Sequence, residues 1–181
     1  MAQIIKKYGI LLRPLERVDL ELVRRWRNDP SISRHMEFRE YISCDDQIRW
    51  FDSINNAFNL YWIVQFDEVP VGLFNFKNIN LTDRSAEAGI FIWECALLNS
   101  TFAFATAISA LDYAFDTLGL SVIHARILDQ NKRAIRFNKA LGFVPTLNTS
   151  PNANRLYTLE SERYATSAET IRRVLEKSFA R

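Results

Sequence analysis

Asn131-Lys-Arg-Ala-Ile-Arg-Phe-Asn-Lys-Ala-Leu-Gly142-Phe143 reads as a helix with both ends marked. Asn131 is an N-cap residue, whose side-chain oxygen can accept from a backbone N–H one turn on. Gly142 follows the last apolar residue as a C′ glycine that turns left-handed without a Cβ penalty. Upstream, residues 122–128 carry the β-branched pattern of a strand, preceded by a long apolar helix over 100–118, and Phe143 opens another strand. The second half of the chain is therefore a helix-strand-helix-strand series, the pattern of helices packed on a sheet.

Toward the amino terminus the period changes. Residues 60–66 and 69–76 are β-rich and separated by Asp67 and Glu68, and a polar turn leads to a third apolar segment, 86–93. Three sequential strands predict an antiparallel meander. Before it come a strand at 10–15 and a helix over 19–28 that Asp19 can cap, with Leu20, Leu22, Val23 and Trp26 as apolar stripe and Pro30 as its break. Ser43 and Asp46, spaced as a capping box, announce a second helix that ends near Asn55, with Ile48, Trp50 and Phe51 on and around its inner face. Beyond Phe143, residues 148–154 are loop-like around Pro151, 155–164 read as a last strand and 168–179 as a terminal helix. Ile171, Val174, Leu175 and Phe179 give that helix a stripe that can pack on its own fold or on a second copy in a homodimer.

The expected class is α+β, a mixed sheet flanked by helices, in a single domain spanning 1–181 with residues 165–181 as a helical extension. With 48% hydrophobic and 24% charged residues the chain has ample material for a core, and a net charge of +2 gives no footprint for nucleic acid or anionic lipid. Lys132, Arg133, Arg136 and Lys139 make one helix basic on its outer face, which falls short of a nucleic-acid surface. The five glycines are dispersed, which excludes phosphate loops and nucleophile elbows that need them clustered. Cys44, Cys95, His35 and His124 are likewise scattered, so no metal site is expected. Two unclustered cysteines and no apolar leader point to a cytoplasmic protein, and the longest apolar run, 102–115, is too short and too interrupted to span a membrane.

The order of elements over about residues 10–164 resembles the GNAT superfamily of acyl-CoA N-acyltransferases. The quoted segment is similar to that family's N-x-x-[SA]-I-x-x-[YN]-x-x-x-G-F helix. Ala86-Glu-Ala-Gly-Ile-Phe-Ile-Trp93 is similar to its acyl-carrying strand, and Leu111-Asp-Tyr-Ala-Phe-Asp-Thr-Leu-Gly-Leu120 to the end of its CoA-side helix in the ribosomal-protein and amino-sugar acetyltransferase branch. The resemblance implies a sheet splayed between its fourth and fifth core strands, here between 89–93 and 122–128, with the pantetheine arm of acetyl-CoA lying in the gap like an added strand. Amides near Phe91, Ile92 and Trp93 would then polarise the thioester carbonyl.

It also implies a pyrophosphate site at the start of the 100–118 helix, where free N–H groups and the helix dipole favour an anion. The family's [RQ]-x-x-G-x-[GA] loop is replaced there by Leu98, Asn99, Ser100, Thr101, Phe102 and Ala103, without the basic residue or the main glycine. Asn99, Ser100 and Thr101 can supply donors, or simply cap the helix. Asn131 matches a cofactor-contacting position as well as an N-cap. Glu87 stands where the family often has a catalytic or water-positioning carboxylate, and is the candidate general base unless it is held in a salt bridge, with Glu94 in reserve. Asn138 takes the place of the usual acid tyrosine; an amide can hydrogen-bond the leaving sulfur without protonating it.

Acceptor recognition in this superfamily comes from the first two helices. The Trp26-Arg-Asn-Asp-Pro30 opening with the later Trp50-Phe51 looks like enzymes that acetylate nucleotide-linked amino sugars, with Gln47 where those often carry His. Arg27, Asn28, Gln47 and Trp50 are the candidate acceptor-binding residues, set against core packing for the tryptophan and a neighbouring acid for Arg27. The expected function is transfer of acetyl from acetyl-CoA to a primary amine of a small molecule by direct attack. Protein N-terminal or lysine acetylation, or a GNAT-like binding or regulatory protein without turnover, are the alternatives.

Overall fold

The computed structural model describes residues 2–98, 100–146 and 154–179. Its eight-stranded sheet has the order β1-β2-β3-β4-β5-β6-β8-β7. The first five strands, β1 (Ile5–Lys7), β2 (Ile10–Pro14), β3 (Leu60–Phe66), β4 (Val69–Asn80) and β5 (Ser85–Ile92), follow one another antiparallel. β5 meets β6 (Val122–Leu128) parallel, and β8 (Asn154–Glu160) returns antiparallel beside β6, with β7 (Val144–Pro145) outside it. Two of the turns are decided by backbone chirality: Tyr8–Gly9 and Asp67–Glu68 carry positive φ at both positions, which matches the turn to the twist of a two-residue hairpin.

Alternation along the strands sorts side chains onto two faces. Ile63, Leu73, Phe91 and Trp93 turn to one side, where Val23 and Trp26 of α1 (Leu20–Asn28) cover them. Trp62, Val64, Phe74, Phe76, Ala86 and Ile92 turn to the other and pack under α4 (Phe102–Asp112) and α6 (Ser161–Phe179). α4 is buried nearly all round, and the hydroxyls of Thr106 and Ser109, which interrupt its apolar run, donate back to Phe102 O (3.0 Å) and Ala105 O (2.8 Å), so neither is left unpaired. A π-helical turn, Tyr113–Thr117, completes the expected long helix.

Several expectations need correction. Asp19 does not cap α1 with its side chain; it accepts from Glu16 N (2.9 Å) and from both terminal nitrogens of Arg13 (2.7 Å each), pinning β2 to the chain that enters α1. Pro30 ends α1 but also opens a short helix, α2 (Pro30–Ser33), as its first residue, where its missing N–H costs nothing, with Asp29 as N-cap. The Ser43–Asp46 capping box is present at the head of α3 (Cys44–Ile54), yet Ile48 faces solvent and Gln47 takes the buried position. β1 was not expected, because Lys6 and Lys7 mask a three-residue edge strand. The last strand stops at Glu160, and Tyr164 belongs to α6. Its ring is a β-former in isolation, but with Ala168, Ile171 and Leu175 it falls on one helical stripe against the core. Of the expected stripe, Leu175 is buried and Ile171 and Phe179 pack within the chain, Phe179 reaching Tyr8, whereas Val174 faces solvent. The loop expected at 148–154 lies outside the described residues up to 153.

Candidate active site

β5 and β6 pair over only three rungs, Ser85–Val122, Ala86–Ile123 and Glu87–His124, and then part. Beyond Glu87 the divergence opens a cleft of about 930 Å³ bounded by β4, β5, β6, α1 and α5 (Lys132–Ala140). The expected splay between the fourth and fifth core strands, β5 and β6 when counted from β2, is therefore present.

Strand register decides which amides face the gap. Trp93 N–H donates to Val71 O (2.7 Å), so Trp93 points toward β4, and alternation turns Phe91 the same way. The even residues point to β6: Arg84 O, two places before the first paired alanine, accepts from Ser121 and Val122 on that side. The amides left facing the opening are those of Ile90 and Ile92. Of the three expected donors, only Ile92 turns its N–H toward the opening; those of Phe91 and Trp93 face β4, and their rings pack on Trp26, with Phe91 also lining the cleft.

At the head of α4, Ser100 Oγ accepts from Phe102 N (3.1 Å) and donates to Leu97 O (2.8 Å), capping the helix. Phe102 itself is core, edge-on to Phe66. Thr101 makes no side-chain cap, and the N–H groups of Ala103 and Phe104 have no acceptor among the described residues. Asn99 lies outside the described residues. Leu98 and Ala103 line the cleft. Strand amides face the gap, and the head of α4, with helix amides that find no acceptor among the described residues, borders the same cleft; both kinds of donor suit an extended thioester carrying a pyrophosphate.

Asn131 caps α5 through Ala134 N (3.1 Å) and also lines the cleft. Asn138, two turns further along α5, donates one amide hydrogen to Ala134 O (2.9 Å) and lines the cleft. Glu87 stands at the apex of the splay with both oxygens engaged, Oε1 with Lys77 (2.9 Å) and Oε2 with Arg126 (3.3 Å). Glu94 is exposed and caps the following turn through Ala96 N.

On the acceptor side Arg27 and Trp50 reach the cleft, and Trp50 stands edge-on to Tyr61 with ring centroids 5.3 Å apart. Burial lowers the Arg27 pKa from its ordinary value, with Tyr61 acting weakly against it. Burial also pushes Tyr61 up to about 12, against the pull of Arg27. The Nε of Arg27 has no partner, and no carboxylate pairs with its guanidinium among the described residues. His35, which lines the cleft from the connection between α1 and α3, is held below its ordinary value by burial and by Arg34, Arg133 and Arg39. Two candidates are displaced. Asn28 clamps the backbone of Ile42 with both polar ends (2.8 and 2.9 Å), and Gln47 is buried beneath α3 with its Nε2 unpartnered; neither lines the cleft.

Sequence reasoning missed the polar row on the sheet itself. The registers set Tyr61, Asn75 and Gly89 side by side on β3, β4 and β5, and Lys77, Glu87 and His124 on the next row. Asn75 was detectable as the lone amide inside the apolar run 71–76. Among the described residues no three His, Cys, Asp or Glu side chains come together to hold a metal, and no helix is long and apolar enough to cross a membrane.

Residues 10–144 match the acetyltransferase (GNAT) domain family. The chain is 29% identical over 137 residues to a spermidine N(1)-acetyltransferase of Escherichia coli K12, covering 75% of this chain and 73% of that one. It is 26% identical over 120 residues to acetyltransferase PseH of Campylobacter jejuni, covering 65% and 72%. Among solved structures, spermidine N-acetyltransferase from Vibrio cholerae in complex with CoA and spermine superposes with a TM-score of 0.75 at 24% identity, covering 87% of this chain and 98% of that one, a likeness of fold.

Proposed function

The chain belongs to the GNAT acetyltransferase family, and from that premise we propose that this acetyl-CoA-dependent N-acetyltransferase acts on a primary amine of a small anionic molecule, an amino sugar linked to a nucleotide being the favoured acceptor. What carries the proposal is Arg27, a partly buried, cleft-lining guanidinium with no counter-ion among the described residues. A buried cation without a partner is costly, and a phosphate or carboxylate on the acceptor would satisfy it in a two-pronged contact.

The remaining charge supports the same choice. Arg27, Lys77, Arg126 and Arg133 line the cleft against the carboxylates Glu37 and Glu87, and both oxygens of Glu87 are already paired. A polyamine, which needs unpaired acids, finds few. Ile32, His35, Met36 and Phe38, in the connection between α1 and α3, line the cleft beside Arg27, which favours an acceptor small enough to lie among them.

In the reaction, the amine nitrogen forms a bond to the thioester carbon as the carbon–sulfur bond breaks. Sulfur leaves with the electron pair, and the proton given up by nitrogen balances the thiolate to a free thiol. The Ile90 and Ile92 amides are the candidates to hold the carbonyl oxygen as charge builds on it. Glu87 is the candidate to take the proton, directly or through one water, once displaced from a cation. Asn138 is the candidate to hydrogen-bond the sulfur through the second hydrogen of its amide nitrogen.

The test is thiol release from acetyl-CoA across a panel of amines: a nucleotide-linked amino sugar, a phosphorylated amino sugar, spermidine and a lysine peptide. Faster turnover of the anionic sugars is expected. Preference for spermidine or the peptide would overturn the choice of acceptor.

A further inference from the structure

Asn75 lies in the middle of β4, where every neighbour from Val71 to Phe76 is buried and apolar, and no hydrogen bond to its side chain is formed among the described residues. Its cross-strand partner on β5 is Gly89. A Cβ on that glycine would stand 2.7 Å from Asn75 Oδ1 and 3.3 Å from Nδ2, so the amide lies directly over Gly89 in the space a side chain would take. The next residue, Ile90, presents the first free amide of the gap. Asn75 and Gly89 both line the cleft. An unpaired amide is thus held one residue from the point where the thioester carbonyl is polarised, on the face from which an acceptor must approach.

We infer that Asn75 is an acceptor-positioning residue: its Oδ1 accepts a hydrogen bond from the attacking amine, and Gly89 is required so that it can lie there. This rests on the acetyl-transfer reading of the cleft but not on the amino sugar as acceptor. A neutral amide suits the task. A carboxylate at the same point would stabilise the ammonium form, which has no lone pair to attack with, whereas an amide oxygen accepts from the charged and the neutral amine alike. It aims the nitrogen while leaving it free to become a nucleophile.

Four substitutions and one pair of them test this against whichever amine of the panel the wild-type protein acetylates fastest. Asn75→Leu keeps the shape and removes the hydrogen bond, and is expected to lower kcat/KM for the amine about tenfold or more while leaving acetyl-CoA affinity by calorimetry and the Tm unchanged. Asn75→Asp is expected to keep more turnover than Asn75→Leu, with the rising limb of its pH profile moved to higher pH. Gly89→Ala displaces only the end of a side chain, so the fold persists; it should reduce turnover in the wild-type background and add no further loss on Asn75→Ala.

Wild-type kinetics in Asn75→Leu, or an additive loss in the Asn75→Ala, Gly89→Ala pair, would overturn the inference while the proposed function stands. A wild-type protein that prefers spermidine, with these variants still impaired, would overturn only the acceptor choice. A panel with no acetylated amine would overturn both.

Discussion

Asp112 and Arg27 are both partly withdrawn from water, yet one is saturated with partners and the other has none among the described residues. Asp112, at the end of α4, accepts from Lys7 (2.8 Å), Tyr164 (2.6 Å) and Arg172 (2.5 Å), which ties β1, α4 and α6 into one knot. Burial disfavours its charged form, but the hydrogen bonds from Lys7, Tyr164 and Arg172 outweigh this and hold its pKa below the usual carboxylate value. Arg27 lines a cleft on the opposite face of the sheet with a guanidinium nitrogen unpaired. Where charges stabilise the fold their partners are supplied by the chain; where a partner is lacking, a ligand can supply it.

Four measurements break or sharpen that contrast. Asp112→Ala should destabilise the protein by about 3 kcal/mol, the low end for breaking a buried pair because Lys7 and Arg172 keep part of their water. The Tm should fall by roughly 6–12 °C, with kcat/KM within about twofold of wild type at temperatures where the variant is folded; an unchanged Tm would remove the knot from one side of the comparison. Glu87 stands between the two cases, paired like Asp112 yet in the cleft like Arg27. Glu87→Gln should lower kcat about 100-fold, about 2.7 kcal/mol in the barrier, with little change in Tm; a large loss of stability without loss of rate would make it a second structural acid.

Arg27→Met should raise KM for an anionic acceptor about tenfold, about 1.4 kcal/mol, and leave kcat near wild type. Because it removes an unpaired buried charge, its thermal midpoint should stay level or rise, the opposite sign from Asp112→Ala. The smallest effect is on acid stability. With the folded pKa of Asp112 lowered from 3.8, its contribution is complete above that value and is lost as pH falls toward the folded pKa. Wild type should therefore lose stability below about pH 4 more steeply than Asp112→Asn, as followed by urea midpoints.

Much of this was legible in the sequence where local chemistry and tertiary packing agree. β3 and β6 have the expected limits, 60–66 and 122–128, because flanking polar residues close each apolar run. Asn131 and Gly142 bracket α5 as the caps required, Gly142 at φ 101°. Tyr164 was misplaced because one aromatic residue fits both periods and only its docking beside α4 selects the helix. Asn28 and Gln47 sit in a motif that points to the acceptor, yet their side chains turn away from the cleft. The orientation of Phe91 and Trp93 amides is invisible in sequence, since it depends on register against β4 and not on residue type. Asn75 and Gly89 are apart in the chain and become one feature only through that same register.

The three rungs between β5 and β6 carry a further consequence, for handling the protein. Past Glu87 each strand presents unpaired backbone groups, so a sheet whose outer margins are short contains two edge strands in its interior. Open edges recruit other extended chains and favour self-association. The protein without ligand should therefore be more prone to aggregate than when its cleft is filled, and the Ile90 and Ile92 amides should exchange hydrogen as fast as those of a peripheral strand. Acetyl-CoA at 100 times its Kd would protect them and add about 2.7 kcal/mol of stability by mass action. A cosubstrate that lies in the gap is, for this sheet, the missing strand.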